Sequence, residues 1–304
     1  MRRALPCALL AAGVVACGPS ERPELAGDRA YSAGRYRDAL EQYREAAGER
    51  GGGRVWAKLG AAALRAGELR AAADAYRQLA ADDPTRADEA AEGLDAVATE
   101  AERRGGAAAL QDAVLGLRAV APERPLGRHA LALARGSSLR AADAVALLPA
   151  AMAAAPDAET VDSLLAAYGA ALQESSGCEQ AAPAYRAALR RTRTTEVRAR
   201  AGGGLATCAL SLGLVALGAG HADQAAEWFV QAVRVDSASW VGRRALIGLG
   251  DARVGQGDIL AAAIAYQSAA DAGLGDSLGR IARERLNALG GGGAPADTAR
   301  RRAP

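Results

Sequence analysis

Residues 56–84, WAKLGAAALRAGELRAAADAYRQLAADDP, are the stretch from which the fold of this chain is predicted. Apolar residues recur at spacings of three and four on both sides of Ala66-Gly67, which indicates two short helices around a turn. Pro84 lacks a backbone N–H and is expected to end the second helix. Because one such hairpin cannot bury its own apolar stripe, further copies should be stacked on it.

Small residues in this stretch explain how its two helices pack. Gly60 and Ala72 let the helix backbones approach closely, and Tyr76 fills the remaining gap. The stretch resembles a tetratricopeptide repeat, whose signature it matches at Trp56, Leu59, Gly60, Ala72, Tyr76 and Pro84. Ala63 stands where that signature has a tyrosine. The resemblance implies an all-α, right-handed superhelical solenoid of antiparallel hairpins, whose first helices line a groove for peptides or partner helices.

The same pattern recurs upstream and downstream, and predicts about seven hairpins. The copies carry a glycine at the turn or in the first helix, a small residue and an aromatic residue in the second helix, and these aromatics are expected in the core. These residues are Gly34, Ala39 and Tyr43; Gly67, Ala72 and Tyr76; Gly169, Ala181 and Tyr185; Gly213, Ala225 and Phe229; and Gly250, Ala262 and Tyr266.

Residues 88–121 and 126–155 carry a weaker form of the pattern. Leu110 and Ala144 occupy the small-residue position, and no aromatic residue follows either of them. These segments are diverged repeats or simply paired helices. Residues 277–289 are predicted to form a C-terminal capping helix, with Asp276 or Ser277 as its N-cap.

Two glycine-rich segments interrupt the regular spacing. The GERGGG segment at residues 48–53 is expected to be a flexible joint between hairpins. The interval between Ala181 and Ala225 is 44 residues, longer than the others, and predicts an insertion before the sixth hairpin. Gly202, Gly203 and Gly204 lie in it and predict a helix break or a close contact.

The N-terminus, MRRALPCALLAAGVVAC, has a basic start, a short apolar run and a cysteine at position 17. This pattern is typical of an export signal, and residues 14–17 resemble a bacterial lipobox that makes Cys17 the lipid-bearing residue. The alternative is an ordinary cleaved signal with a chance cysteine. The absence of Asp at position 18 implies, by the same resemblance, an outer-membrane lipoprotein that faces the periplasm. The predicted divisions are a signal peptide at 1–16, a lipidated tether at 17–24, the solenoid at 25–289 and a disordered tail at 290–304, with no other membrane-spanning segment.

Two further cysteines, Cys178 and Cys208, remain in an oxidising compartment. Cys178 begins a predicted helix, and the next helix runs back antiparallel after a turn near residues 192–195, so position 178 faces a position near 209. The pair is therefore predicted to form a disulfide, with two buried free thiols as the alternative. Two cysteines are too few ligands for a structural zinc site.

Composition and motifs argue against catalysis and nucleic-acid binding. Removal of residues 1–16 leaves 35 basic and 35 acidic residues, without the basic excess of a nucleic-acid-binding protein. His129 and His221 lack a metal-binding or catalytic neighbour in sequence, and no phosphate-binding loop occurs. We expect no cofactor and no metal. Lys58 and Asn287 are the only lysine and asparagine, which argues against a groove that clamps a peptide carboxylate.

The expected function is that of a protein–protein interaction scaffold for an envelope assembly, such as outer-membrane biogenesis, secretion, pilus assembly or cell division. The partner and its binding residues are not identified by the sequence, although Trp228 and Trp240 are candidates for a binding face. One alternative is an enzyme of the cell wall, which would need a compact catalytic domain that the chain does not offer. Another is a glycan-binding solenoid, which would need a large aromatic patch.

Overall fold

The computed structural model describes residues 22–136, 139–273 and 275–290, and in these residues it contains α-helices, one 3₁₀ turn and no strand. The helices fall into two compact units, the first ending at Glu123 and the second beginning at Arg124. Within each unit, helices that are consecutive in the chain pack on each other, which is the arrangement of stacked antiparallel hairpins. The predicted all-α repeat fold is confirmed.

Unit 1 contains three hairpins. The first consists of α1 (Pro23–Ser32) and α2 (Tyr36–Arg50), and the second of α3 (Gly53–Ala66) and α4 (Leu69–Asp82). After a 3₁₀ turn at Pro84–Arg86, the third consists of α5 (Ala87–Arg104) and α6 (Ala107–Val120). Residues 88–121, in which the repeat pattern is weak, therefore form a hairpin like the two hairpins before them.

Unit 2 contains four hairpins and a terminal helix. They are α7 (Gly127–Gly136) with α8 (Ala141–Ala153), α9 (Ala158–Ser175) with α10 (Cys178–Arg191), α11 (Thr195–Gly218) with α12 (Ala222–Val235), and α13 (Trp240–Gly255) with α14 (Ile259–Asp271). Helix α15 (Ser277–Gly290) packs on α14 as the predicted cap, and the Asp276 carboxylate accepts a hydrogen bond from the Gly279 N–H at 2.8 Å.

In the described part of the chain, six hairpins turn at a glycine with a positive φ angle, between 70° and 89°. This left-handed conformation closes the first helix with backbone hydrogen bonds, and a side chain with a Cβ would be strained there. The glycines are Gly34, Gly67, Gly105, Gly177, Gly220 and Gly257.

An aromatic ring in the second helix is held between two glycines of neighbouring first helices. A Cβ atom built on Gly60 of α3 would lie 2.8 Å from the Tyr76 ring, and one built on Gly93 of α5 would lie 2.3 Å from it. The same arrangement holds Tyr185 between Gly169 and Gly204, and Phe229 between Gly213 and Gly248. The predicted small residues Ala39, Ala72, Ala181, Ala225 and Ala262 are fully buried.

The third hairpin fills the same space with other residues. Val114 lies four residues after Leu110, where five of the other hairpins have an aromatic ring, and Ala98 lies sixteen residues before Val114, where those five have a glycine. Both side chains are fully buried. A smaller side chain on the second helix and a larger one on the first thus leave the interior filled.

Three boundaries differ from the sequence predictions. Helix α1 begins at Pro23 rather than Leu25, because proline suits the first helical turn and Glu24 pairs with Lys58 and Arg54 of α3. The predicted flexible joint at 48–53 is wrong, since α2 continues to Arg50 and α3 begins at Gly53, which is buried against Asp83. Helix α11 is unbroken through Gly202–Gly204, which provides the close contact instead.

Helix α11, Thr195–Gly218, corrects the expectation that no later segment could span a membrane. In the part of the chain that the structure describes, it is the one helix long and apolar enough to do so by length and composition. Half of its most apolar window is buried against other helices, which is typical of a core helix in a soluble protein. Cys17, the predicted signal peptide and the tail after Gly290 lie outside the described residues.

Candidate functional site

The only lysine lies in a charged cluster on the first helices of unit 1. Lys58 Nζ of α3 donates hydrogen bonds to Glu24 at 2.8 Å and to Asp28 at 2.7 Å, both on α1. Tyr43 Oη donates to Asp28 at 2.8 Å, and Arg54 pairs with Glu24. Partial burial opposes the charged ammonium, but the two carboxylates outweigh it and raise the pKa of Lys58.

This cluster bears on whether Lys58 can bind the carboxylate of a peptide. Two carboxylates of α1 already neutralise Lys58, and its hydrogen bond lowers the pKa of Glu24. A peptide carboxylate would have to displace both of them. The cluster therefore joins the first two hairpins and offers no positive site for a peptide terminus.

An apolar cleft in unit 2 is the strongest candidate for a binding site. It has a volume of about 320 Å³ and lies between α7, α8 and α9, with α11 at its margin. Its walls consist of alanine and leucine, namely Ala134, Leu139, Ala141, Ala144, Leu148, Leu164, Ala167, Ala170 and Ala171. This volume is at the lower end of the range for small-molecule sites and suits a few apolar side chains of a partner.

Among the described residues, the two charged groups that line this cleft are both exposed, and we refer to them as its rim. Glu174 of α9 is exposed, and Arg200 of α11 pairs with Glu196 at 2.9 Å. The described wall residues are alanine and leucine, which carry no acid, base or nucleophile. The cleft can hold apolar side chains and orient a flanking charge, and no bond-making chemistry follows from its residues.

The histidines take no part in either site. His129 is 2% exposed, and its Nε2 lies 3.3 Å from an Arg128 nitrogen. His221 is exposed at the N-cap position of α12, where its side chain makes no capping hydrogen bond. In the described residues, no group of three His, Cys, Asp or Glu side chains could hold a metal ion.

The cysteines remaining after the predicted signal and anchor are joined as a disulfide. Cys178 and Cys208 have a Cα–Cα distance of 4.9 Å. The bond connects the first residue of α10 to the middle of α11, and Cys208 is fully buried. It therefore secures the fifth hairpin to the sixth.

The two tryptophans proposed for a binding face differ in exposure. Trp228 is partly buried beneath Arg186, whose guanidinium carbon lies 5.2 Å from the ring centroid. Trp240, the first residue of α13, is 63% exposed. Trp56 of the repeat signature is also only partly exposed.

Sequence analysis missed an exposed apolar face on α14. Leu260 and Ile264 are 73% and 60% exposed, and they lie two residues before and two residues after Ala262. The corresponding positions in other hairpins hold charged residues, such as Arg37 and Glu41, Arg70 and Asp74, and Asp223 and Glu227. Aligning the hairpins on their small residue would have revealed this difference.

The internal geometry of the hairpins identifies the repeat. In five hairpins the small residue of the second helix is buried and an aromatic residue follows four positions later; in three of them the ring lies between two glycines of successive first helices. The hairpins thus have the fold that the resemblance to tetratricopeptide repeats implies. The residues that carried the resemblance, from Gly60 to Tyr76, thus occupy the contacts that the signature implies.

Comparison with known proteins gives distant structural neighbours. No family model matches the chain, and no curated protein matches it. The solved structures similar to it include the apo quorum sensor NprR from B. thuringiensis, at 12% identity and a TM-score of 0.33, with 88% of this chain and 67% of that chain covered. Another is the yeast Sti1 TPR2AB domain in a complex with pHSP90, at 15% identity and a TM-score of 0.30, with 88% of this chain and 97% of that chain covered. A third is YrrB, described as a TPR protein with an unusual peptide-binding site, at 16% identity and a TM-score of 0.31, with 81% of this chain and 99% of that chain covered.

Proposed function

We propose that this chain is a non-enzymatic scaffold that binds a protein partner through the apolar cleft of unit 2. The observation that carries the proposal is the cleft itself, an opening walled by alanine and leucine with one acid and one arginine at its rim. Small wall residues leave room for the larger side chains of a partner. Burial of those side chains contributes about 25 cal/mol per Å² of apolar surface removed from water.

The partner segment is an amphipathic helix or an extended strand with apolar anchors. Tetratricopeptide-type hairpins present a rigid surface, so the partner places successive apolar side chains between helices without reorganising the scaffold. Charges next to these anchors face Glu174 and Arg200. The polar rim sets the direction in which the segment lies, and the apolar walls supply most of the affinity.

The scaffold is proposed to act in the cell envelope on a lipid anchor at Cys17. The basic start, the short apolar run and the lipobox-like residues before Cys17 support export and lipidation. The residue after Cys17 is glycine, which supports placement in the outer membrane with the repeats facing the periplasm. The proposed role is to assist an envelope assembly in outer-membrane biogenesis, secretion or cell division.

Site-specific photocrosslinking in cells tests the cleft. A photoreactive phenylalanine analogue at Ala170, an exposed wall residue, should give one dominant crosslinked protein. The same analogue at Gln224, exposed on α12 and outside the cleft, is the matched control and should not give that product. Equal crosslinking at both positions, or none at Ala170, would contradict the proposal.

A glycan-binding role has no specific observation in its favour. Stacking on sugar rings requires exposed aromatic rings close together. Among the described residues, Trp240 is the one aromatic residue that is exposed.

A further inference from the structure

Helix α11 extends beyond the end of its partner helix α12. Gly202 of α11 lies against Val235, the last residue of α12, with a Cβ position 3.1 Å from the valine Cγ1. Residues 195–201 therefore continue past the end of α12 by seven residues, or about 10 Å. This extension corresponds to the insertion that lengthens the interval between the fifth and sixth hairpins.

Arginines are concentrated at this extension. The end of α10, the connection and the first turns of α11 contain Arg190, Arg191, Arg193, Arg198 and Arg200, which we call the arginine connection. All five are exposed, and Glu196 is the one acid between residues 190 and 200. This segment has an excess of four positive charges, whereas the whole chain has a net charge of +2.

Internal ion pairs use only part of this charge. Arg191 pairs with Asp162 at 2.9 Å, Arg200 pairs with Glu196 at 2.9 Å, and Arg198 donates to the Thr192 carbonyl at 3.0 Å. In the described part of the chain, Arg190 and Arg193 have neither an ion pair nor a side-chain hydrogen bond. Within the described residues, these two guanidinium groups therefore stabilise the fold through no ion pair or side-chain hydrogen bond.

We propose that the arginine connection, which shares only Arg200 with the rim of the apolar cleft, is a second interaction surface that binds an acidic, extended segment of a partner protein. Guanidinium groups bind carboxylates in two-pronged pairs, which favours a chain rich in Asp and Glu. The charge complementarity is local, since the chain as a whole is nearly neutral.

The distribution of the arginines favours a flexible chain over a flat surface. Val197 and Ala201 are buried, and Arg198 and Arg200 lie on either side of this buried stripe, about 160° apart around the helix. A membrane surface would meet one side only, whereas an extended segment can contact both. No aromatic residue lies between 190 and 200 to stack on the bases of a nucleic acid.

Binding of a labelled polyglutamate peptide to the full-length protein in detergent, followed by fluorescence anisotropy, tests the proposal. The double variant Arg190→Gln, Arg193→Gln should bind roughly 5- to 10-fold more weakly at low salt, because two exposed charge pairs are lost. The double variant Arg37→Gln, Arg44→Gln removes two exposed arginines of α2 and should bind like the unaltered protein. Raising the salt to about 0.3 M should weaken binding in all three proteins.

Two parallel probes distinguish the other sources of negative charge. Nanodiscs containing phosphatidylglycerol and a single-stranded oligo-dT should show no difference between the unaltered protein and the Arg190/Arg193 variant. The proposal is overturned if the peptide does not bind or if both double variants lose equal affinity. It is also overturned if only the nanodiscs or only the oligonucleotide depend on Arg190 and Arg193. None of these readouts involves the cleft at Ala170, so the two proposals can fail separately.

Discussion

At the scale of single residues, glycine in the first helices decides how closely the hairpins stack. Tyr185 occupies the space that Cβ atoms on Gly169 and Gly204 would need, with Cβ positions 2.7 Å and 2.2 Å from its ring. Because a glycine lies on both sides, the ring cannot move away from one without approaching the other. The entropic cost of glycine in a helix, about 1 kcal/mol relative to alanine, is offset by this packing.

Adjacent glycines in α11 provide a matched test of this role. Gly204→Ala should lower the free energy of unfolding by about 1–3 kcal/mol, because the added methyl group overlaps the Tyr185 ring. Gly203→Ala should raise it by about 0.5–1 kcal/mol, because Gly203 is exposed and its Cβ position has no neighbour within 4 Å. Urea denaturation of the two variants measures both effects. Equal effects of the same sign would contradict the packing account.

At the scale of elements, a buried arginine attaches the terminal helix. Arg243 of α13 is 6% exposed and donates to both Asp276 carboxylate oxygens, at 2.5 Å and 2.6 Å. Asp276 also caps α15 through the Gly279 N–H. The Arg243 guanidinium has the largest effect and the Gly279 hydrogen bond the next largest, and together they hold the pKa of Asp276 well below its usual range.

The lowered pKa of Asp276 predicts a pH dependence with a definite sign. The contribution of the Asp276–Arg243 ion pair to the stability of the folded protein is fully present above the usual Asp pKa of about 4. It is lost as the pH falls toward the lower folded-state pKa of Asp276. Asp276→Asn keeps a capping side chain but removes the charge, so its Tm should be lower at pH 7. The difference in Tm from the unaltered protein, followed by circular dichroism, should narrow below about pH 4. A difference that stays constant with pH would exclude the charge as its source.

The disulfide predicts a second effect at this scale. It closes an interval of 30 residues between α10 and α11, and loop entropy gives it a stabilisation of roughly 3.5 kcal/mol. Replacement of both Cys178 and Cys208 by serine should lower the free energy of unfolding by about this amount. Urea denaturation with a reductant should affect the unaltered protein and leave the double variant unchanged. A reductant effect on the double variant would show that the loss has another origin.

At the scale of the whole molecule, the prediction concerns how the chain is held at a membrane. Cys17→Ala should abolish incorporation of labelled palmitate and move the protein from the membrane fraction to the soluble fraction. Helix α11 should not retain it, because half of its most apolar window is buried against other helices. Carbonate extraction of membranes measures the distribution. Retention of the Cys17→Ala protein after extraction would show that a segment other than the lipid anchors it.

Much of the hairpin architecture could be predicted, because it depends on contacts that repeat at a regular interval. The positions of Ala72, Tyr76 and Gly60 within one hairpin follow from helical spacing. The glycine that contacts the ring from the next hairpin could not be placed in the same way, since Gly93 follows Tyr76 by 17 residues whereas Gly204 follows Tyr185 by 19. That interval depends on the length of the connection between hairpins.

Helical period, glycine and proline act locally, so the helices, most of their turns and the residues that fill their interior could be predicted from the sequence. Three features became visible in the folded chain alone: Lys58 is held by two carboxylates, alanines of three helices enclose a cleft, and α11 extends past α12. These features join residues about 30 or more positions apart, or depend on the offset between stacked helices. Local periodicity does not specify that offset; packing between hairpins sets it.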